Sequence, residues 1–189
     1  MATSPIPLIS FEEYLTLEEK AHFKNEFYRG EILAMSGGTL RHSLMQNNLS
    51  RRLSNALDGT DCQVHSGGLL FRTGIEGLGA YPDIMVLCGQ PKLEDGRELV
   101  VLNPTVVVEV LSPSTETYDR RTKAREYWKC PSVQQYFVIS QTRPLVEIQT
   151  RQADGQVTLN CIAGREAICS FESLGLSIPM TEIYERVNF

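Results

Sequence analysis

The stretch that most constrains the fold is "TVVVEVL", residues 105–111, in which a single glutamate lies among valines and a leucine. Such a run is typical of a central β-strand that is covered on both faces of its sheet. Because side chains alternate along a strand, Glu109 shares one face with Val107 and Leu111, and Val108 belongs to the other face. A glutamate is almost never fully buried unless it is paired. The run therefore predicts a partner for Glu109 in the protein core.

A second carboxylate lies at the start of another apolar run, within "GAYPDIMVLCG", residues 79–89. Residues 84–87 predict a buried strand, and Pro82 is tolerated at the first position of such a strand. Burying Asp83 beside this strand costs free energy unless a group pairs with it, binds it or protonates it. The simplest alternative is that Asp83 is a turn residue and that Glu109 pairs with an arginine.

Convergence of these two carboxylates would create a metal site. If their strands are neighbours, Asp83 and Glu109 raise each other's pKa unless a cation lies between them. Mg²⁺ and Mn²⁺ are hard cations that prefer oxygen ligands of this kind. Two acids in successive core strands therefore favour a divalent-cation site over a purely structural role for both residues.

A strongly charged helix is predicted directly after the Glu109 strand, at residues 116–129. Helical spacing places Asp119, Lys123 and Tyr127 on one face of this helix. A lysine beside a metal site can orient or deprotonate an attacking water, or stabilise charge that develops on a phosphate. The alternative is a solvated helix face, which is the usual reason for a charge run.

The remaining pattern predicts an α/β domain with a mixed sheet. Ser10 and Glu13 have the spacing of a capping box at the start of the first helix. The other predicted elements, in chain order, are a hairpin around Arg29-Gly30, an amphipathic helix over residues 41–58 that stops at Gly59, a strand over residues 62–72 that is interrupted or bulged at Gly67-Gly68, a core strand over residues 134–140, a meander with a turn at Asp154-Gly155, and a short closing helix.

Composition sets outer limits on the kind of protein. The 189 residues, 42% hydrophobic and 22% charged, fit one globular domain over residues 1–189. A net charge of −5 argues against a tight, non-specific coat on DNA but permits a local basic face.

Five scattered cysteines without CxxC spacing argue against a disulfide framework or zinc ribbon and favour a reducing compartment. We see neither a signal peptide nor a run of roughly 20 apolar residues, so we expect a cytoplasmic protein without a membrane partner.

Three stretches together resemble a known nuclease family. "YPD" (81–83), "VVVEVLSPST" (106–115) and "DRRTKAREYW" (119–128) look like the family of short putative restriction endonucleases within the PD-(D/E)XK nuclease superfamily. The similarity extends over roughly residues 11–146. It implies a restriction-endonuclease-like core, in which a central mixed β-sheet is flanked by helices, with an N-terminal helix and β-hairpin as an extension.

The resemblance also implies a set of site residues. Asp83 and Glu109 match the metal ligands, with help from the backbone carbonyl of Val110. Glu26 matches an acid that the superfamily often contributes from its first helix or the following strand. His42 matches a histidine that precedes the second helix and can reach a phosphate.

One position departs from the superfamily pattern. The D/E-X-K motif places a lysine two residues after the acid, whereas this chain has Leu111 there. Lys123 matches a lysine that this family supplies from the next helix. A long side chain can reach one site from different backbone positions, so the change is physically reasonable.

The predicted function is Mg²⁺-dependent (or Mn²⁺-dependent) hydrolysis of phosphodiester bonds in DNA. The predicted catalytic residues are Asp83, Glu109, Lys123 and Glu26, and the predicted nucleic-acid contacts are His42, Arg120, Arg121 and Arg125. A homodimer fits cleavage of two antiparallel strands.

Two rival functions fit parts of the same sequence. The first is a catalytically inactive nuclease-fold module for DNA binding or assembly, which the negative net charge and the lack of a separate DNA-recognition motif favour. The second is an unrelated small-molecule enzyme, for which no P-loop, GxGxxG or GxSxG pattern is present.

Overall fold

The structure is a computed structural model that describes residues 8–35, 37–75 and 77–189. Its helices are α1 (Phe11–Glu18), α2 (Leu40–Ala56), α3 (Glu116–Tyr118), a π-helical turn (Asp119–Lys123), α4 (Ala124–Tyr127), a 3-10 turn (Glu172–Leu174) and α5 (Met180–Ile183). Its strands are β1 (Asn25–Tyr28), β2 (Glu31–Ala34), β3 (Cys62–His65), β4 (Leu70–Arg72), β5 (Leu78–Ala80), β6 (Ile84–Cys88), β7 (Leu93–Glu94), β8 (Arg97–Val101), β9 (Val106–Val110), β10 (Gln135–Ile139), β11 (Leu145–Arg151), β12 (Val157–Ala163), β13 (Ile168–Phe171) and β14 (Leu176–Pro179).

The central sheet has six strands in the order β12-β11-β10-β9-β6-β3. Strands β9 and β10 are parallel and the other neighbours are antiparallel, so the predicted mixed sheet is confirmed. Strand β6 pairs directly with β9, and Ile84 lies opposite Val108. Continuing this antiparallel register by one residue sets Asp83 opposite Glu109. The neighbouring strands that the metal hypothesis requires are therefore present.

A second six-stranded sheet, in the order β2-β1-β5-β4-β8-β7, contains the predicted N-terminal hairpin. The hairpin joins this sheet through the pair Phe27 and Gly79. The strand predicted over residues 62–72 is interrupted at Gly67-Gly68, and its two halves lie in different sheets, β3 in the central sheet and β4 in the second one. The chain crosses between the sheets at Gly67 and Gly68, whose φ values of 63° and 88° suit glycine.

Strand β9 is covered on both faces, as its sequence predicts. Val106, Val108 and Val110 pack into a core with α2, α5, β13 and β14. Val107 and Leu111 pack into a second core that also contains residues of β4, β5 and α4. Glu109 therefore points into the second core, where an unpaired charge would be costly.

The two longest helices begin as their sequences predict. Ser10 and Glu13 form the expected capping box at α1. Thr39 caps α2, which buries residues at helical spacing against the first core. The apolar residues that predicted this helix are Met45, Leu49, Leu53, Ala56 and Leu57, and all but Ala56 are buried.

The predicted charged helix is divided into three helical segments. Its middle part, Asp119–Lys123, is a π-helical turn, in which Asp119 and Lys123 are buried. Short π segments within α-helices often occur at functional sites. This turn brings two of the predicted helix-face residues to the inside of the protein.

One disulfide departs from the expectation of reduced cysteines. Cys62 and Cys88 lie opposite each other in the β3–β6 register and are bonded. The expectation was wrong for this pair because its partners are brought together by strand pairing and not by sequence spacing. Cys130, Cys161 and Cys169 are free. Within the described residues, no helix has the length and apolarity to cross a membrane.

Candidate active site

Asp83 and Glu109 line one cavity of about 530 Å³ beside the central sheet. The Asp83 carboxylate is held at Oδ2, which accepts a hydrogen bond from the backbone N–H of Val110 at 2.7 Å and lies 3.1 Å from Nε2 of His42. The backbone carbonyl of Asp83 accepts hydrogen bonds from Nε2 of Gln46 at 2.8 Å and from the N–H of Gly67 at 3.0 Å. Both the peptide and the side chain of Asp83 are therefore fixed.

Glu109 is bound to two donors from the segmented helix. Its Oε1 accepts a hydrogen bond from the hydroxyl of Tyr127 at 2.7 Å and from Nζ of Lys123 at 3.0 Å. The same Nζ lies 2.8 Å from Oε1 of Glu26 and 3.3 Å from Oδ1 of Asp119. Lys123 thus lies among three carboxylates and is only 5% exposed. The structure brings all four predicted catalytic residues to one place.

The ionisation of this cluster follows from its burial. Burial raises the pKa of Glu109 well above its ordinary value, the charge of Lys123 opposes this, and the nearby carboxylates add to it. Burial also raises the pKa of Glu26, again against the attraction of Lys123. Burial alone would lower the pKa of Lys123, but Glu109, Glu26 and Asp119 raise it well above its ordinary value. Burial is therefore the main cause of the raised pKa of the two glutamates, whereas the surrounding carboxylates cause the raised pKa of Lys123.

His42 lies at the same cavity as Asp83, and its contact with a phosphate stays a prediction. Its imidazole lines the cavity and contacts the Asp83 carboxylate. Although burial lowers the pKa of His42, the hydrogen bond and charge of Asp83 raise it above its ordinary value overall. The direct contact is with a predicted metal ligand, so His42 is placed to orient Asp83.

Three residues of the site were not predicted to have a function. Tyr127 is fully buried, stacks on Phe71 at a centroid distance of 5.3 Å and bonds to Glu109. Asp119 contacts Lys123, and its Oδ2 accepts a hydrogen bond from Thr115 at 2.7 Å. The spacing of Asp119 and Tyr127, four residues on either side of Lys123, was a usable signal. Nothing in the sequence distinguished Gln46 from an ordinary helix-surface residue.

The predicted arginine contacts lie away from this cavity. Arg120 lies 3.1 Å from Glu116 and 2.7 Å from Glu147. Arg125 donates a hydrogen bond to the hydroxyl of Tyr28 at 2.7 Å, and Arg121 is exposed. Over the described ranges, the lining of the cavity includes none of the three arginines. Their contact with nucleic acid stays a prediction.

The cavity offers oxygen donors, which hard divalent cations prefer. Over the described residues, no three His, Cys, Asp or Glu side chains are arranged to hold a metal ion. Mg²⁺, however, is usually bound by one or two carboxylates, with water and substrate phosphate completing its shell. In the described part of the chain, Oδ1 of Asp83 and Oε2 of Glu109 accept no hydrogen bond from protein. Two carboxylates with one oxygen each to spare fit such a cation.

Comparisons with known proteins agree with the resemblance seen in the sequence. The family model of Uma2, described as "Putative restriction endonuclease", matches residues 11–181. The Synechocystis sp. protein slr1290 is 36% identical over 188 residues, covering 99% of this chain and 97% of that protein. The Synechocystis sp. protein sll1609 is 30% identical over 171 residues, covering 90% of this chain and 97% of that protein.

A solved structure shares the fold. The crystal structure of a protein from Anabaena variabilis, described as a putative nuclease belonging to DUF820, superposes with a TM-score of 0.76. The match covers 93% of this chain and 97% of that chain, at 17% sequence identity. The predicted fold class, a nuclease-like core with a mixed sheet flanked by helices, is confirmed.

Proposed function

This chain belongs to the Uma2 family of putative restriction endonucleases, and we propose that it is an Mg²⁺- or Mn²⁺-dependent endonuclease that hydrolyses phosphodiester bonds in DNA. The observation that carries the proposal is the charge of the cavity. Four carboxylates, from Glu26, Asp83, Glu109 and Asp119, line it together with one ammonium, from Lys123. The four carboxylates outnumber the cationic groups of the cavity, the ammonium of Lys123 and the imidazole of His42 when it is protonated, and a divalent cation would stabilise their ionised forms.

Asp83 and Glu109 are the residues that would hold the cation. Glu109 lies in β9 and Asp83 directly precedes its partner strand β6, and each has a carboxylate oxygen that accepts no hydrogen bond from the described residues. When bound there, a divalent cation would lower the pKa of a bound water and neutralise charge on the scissile phosphate. The backbone carbonyl of Val110 is a third candidate ligand, because its residue already contacts Asp83 through the N–H.

Lys123 supplies the positive charge of the reaction centre. Its ammonium bonds to Glu109 and keeps that carboxylate oriented toward the cavity. We expect the same ammonium to orient the attacking water and to stabilise negative charge on the phosphate in the transition state. Glu26 and Asp119 hold Lys123 in place from its other sides, which fixes the donor before substrate arrives.

A cleavage assay tests the proposal. Supercoiled and single-stranded DNA are incubated with the protein and Mg²⁺ or Mn²⁺, and with the variants Asp83→Ala, Glu109→Ala and Lys123→Ala. We expect metal-dependent nicking by the wild type and its loss in all three variants. Asp95→Ala serves as a matched control, because Asp95 is an exposed acid in the turn between β7 and β8. This control is expected to retain cleavage.

Two outcomes would contradict the proposal in different ways. Metal-dependent nicking that survives Asp83→Ala would come from a contaminant or from another site. Complete absence of cleavage, with DNA binding that is equal with and without Mg²⁺, would favour the alternative function of a non-catalytic nuclease-fold module. One observation favours that alternative: Lys123 is buried and already forms ion pairs with three carboxylates.

A homodimer is part of the same proposal. Cleavage of both antiparallel strands of a duplex suits two reaction centres related by an approximate two-fold axis, which an isologous dimer supplies. Light scattering coupled to size-exclusion chromatography tests this directly, and a monomer at all protein concentrations would contradict the homodimer.

A further inference from the structure

A second cavity, of about 430 Å³, lies beside the candidate active site. The two cavities share one lining residue, Ser112, in the loop that follows β9. The opposite wall comes from the loop that follows β10, residues 140–143. Strands β9 and β10 are parallel, so both loops leave the sheet at the same edge. Crevices at the carboxyl ends of neighbouring parallel strands are common ligand sites.

Two hydrogen bonds of Gln141 connect the wall of the second cavity to the end of β9 and to the start of α2. Gln141 is buried, and its Nε2 donates a hydrogen bond to the carbonyl of Leu111 at 2.6 Å. Its Oε1 accepts a hydrogen bond from the hydroxyl of Thr39, the residue that caps α2, at 2.6 Å. Because His42 lies in the first turn of the same helix, the second cavity is in a fixed position relative to the Asp83 carboxylate.

Two arginines line this cavity, and their charges are not equally available. Arg120 is 2.7 Å from Glu147 and 3.1 Å from Glu116, so its charge is largely neutralised. Arg143 is exposed and, in the described part of the chain, its guanidinium forms no hydrogen bond or ion pair. A guanidinium without a protein partner can bind a phosphate through two parallel hydrogen bonds.

Hydroxyl groups surround the same space. Ser112, Ser140 and Thr142 all line the cavity. Ser140 Oγ lies 3.1 Å from Thr142 Oγ1, so these two hydroxyls are held close together. Serine and threonine hydroxyls can each donate one hydrogen bond, and they contact backbone phosphates in nucleic-acid complexes.

We propose that this second cavity binds a backbone phosphate adjacent to the scissile one, with Arg143 as the residue that contacts it. The inference rests on the proposed nuclease function, since it places the nucleic-acid strand across both cavities. It assigns to Arg143 the phosphate contact that the sequence pattern assigned to Arg120. Arg120 instead fixes the wall of the cavity through Glu116 and Glu147.

The test measures DNA binding without catalysis. The affinity of a fluorescein-labelled single-stranded oligonucleotide is measured by anisotropy in EDTA over a series of salt concentrations. Arg143→Gln is expected to lower the affinity several-fold at low salt. It is also expected to reduce the slope of log K against log[salt] by about 0.7, the value for one phosphate contact on a single strand. Arg143→Lys is expected to keep most of the slope, because it keeps the charge.

Lys92→Gln is the matched control, since Lys92 is exposed, carries one positive charge and lines neither cavity. It removes the same charge from the whole protein and is expected to leave the slope unchanged. Equal slopes for wild type and Arg143→Gln, or equal losses in the Lys92 control, would overturn the proposal. So would a wild type with no measurable affinity for the oligonucleotide.

Two further measurements distinguish a site for a DNA strand from a site for a small anion, and binding from cleavage. Calorimetric titration with inorganic phosphate tests for a small-anion site. If phosphate binds tightly in a way that depends on Arg143, while Arg143→Gln leaves the salt slope of DNA binding unchanged, the assignment to a DNA strand is overturned.

Cleavage is measured in parallel. A slope change without cleavage would refute the nuclease function and retain the phosphate site, whereas cleavage with an unchanged slope would do the reverse.

Discussion

The Nζ atom of Lys123 lies 3.0 Å from Oε1 of Glu109, although the two residues are 14 positions apart and belong to different elements. In the D/E-X-K pattern the lysine follows the acid on the same strand. Here that position is Leu111, which is only 4% exposed and packs in the second core. The ammonium therefore approaches Glu109 from the π-helical turn, and a buried apolar residue occupies the strand position.

Replacing Lys123 by methionine should destabilise the protein strongly. Glu26, Glu109 and Asp119 would then be buried without their shared cation, and breaking a buried charge pair from one side costs about 3–5 kcal/mol. We expect the free energy of unfolding at neutral pH to fall by about 3 kcal/mol. The loss should be smaller at about pH 5, because carboxylates with a raised pKa then take up protons.

Urea denaturation of Lys123→Met at both pH values checks this. Arg51→Met is the control, since Arg51 forms an exposed ion pair with Glu185 at 2.8 Å. Such pairs contribute roughly 0–1 kcal/mol. Similar losses in the two variants, or a loss that grows at the lower pH, would contradict the central role of Lys123.

The hydroxyl of Tyr127 is expected to affect metal binding as well as stability. Tyr127→Phe keeps the ring that stacks on Phe71 but removes the 2.7 Å hydrogen bond to Glu109. A hydrogen bond to a charged group contributes about 1.5–3 kcal/mol, so unfolding should become easier by roughly that amount. Mn²⁺ affinity, measured by calorimetry, should fall about ten-fold because an outer partner of a ligand is lost.

Tyr14→Phe separates these two effects. Tyr14 lies in α1, away from the candidate site, and is as deeply buried as Tyr127. Its hydroxyl donates a hydrogen bond to the backbone carbonyl of Asn25 at 2.6 Å. This variant should lose stability without losing Mn²⁺ affinity. An unchanged affinity in Tyr127→Phe would show that the hydroxyl only stabilises the fold.

Features that depend on one strand or helix could be predicted from the sequence. The valine run around Glu109 specified a central strand, because only a strand covered on both faces tolerates such a composition. Asp83 was predictable for the same reason, since a carboxylate entering an apolar layer needs a partner. Lys123 was predictable from helical spacing together with the family resemblance.

Features that depend on pairing between distant segments could not be predicted. The second sheet includes β7 and β8, and the short stretch "RELVV" of β8 has exposed residues at its start and a weak alternating pattern. The bond between Cys62 and Cys88 follows from the β3–β6 register, which no spacing rule encodes. The pairing of Arg120 with Glu147 is likewise visible only in three dimensions.

The raised pKa of Glu109 predicts a definite pH dependence of stability. Between the unfolded pKa, about 4.3 for glutamate, and the higher folded value, the native state binds more protons than the unfolded state. The contribution of Glu109 to stability therefore decreases as pH rises through this window. Glu26 acts in the same direction. We therefore compare the free energy of unfolding of the wild type with that of Glu109→Gln in EDTA. The difference, wild type minus variant, is expected to decrease between about pH 5 and about pH 8.

Addition of Mg²⁺ should reverse this trend. A carboxylate must lose its proton to bind a cation, so the increase in Tm on adding Mg²⁺ should be larger at about pH 8 than at about pH 5.5. The increase should be absent in Glu109→Gln at both pH values. Thermal denaturation over a pH series measures both effects, and an Mg²⁺ effect of the same size at every pH would contradict ligation by Glu109.

His42 is expected to act through Asp83 and not through the substrate. Its Nε2 lies 3.1 Å from Oδ2 of Asp83, the oxygen that also accepts the Val110 N–H. His42→Ala would leave one of these two constraints, and loss of an outer partner typically lowers metal affinity by 10–100-fold. We expect Mn²⁺ affinity to fall by about ten-fold, with a salt dependence of DNA binding that equals that of the wild type.

His22→Ala is the control, because His22 is exposed and lines none of the described cavities. It should change neither the Mn²⁺ affinity nor the salt dependence of DNA binding. A reduced salt slope in His42→Ala with unchanged Mn²⁺ affinity would instead assign His42 to a phosphate contact, because only a residue that neutralises phosphate charge alters the number of counterions released.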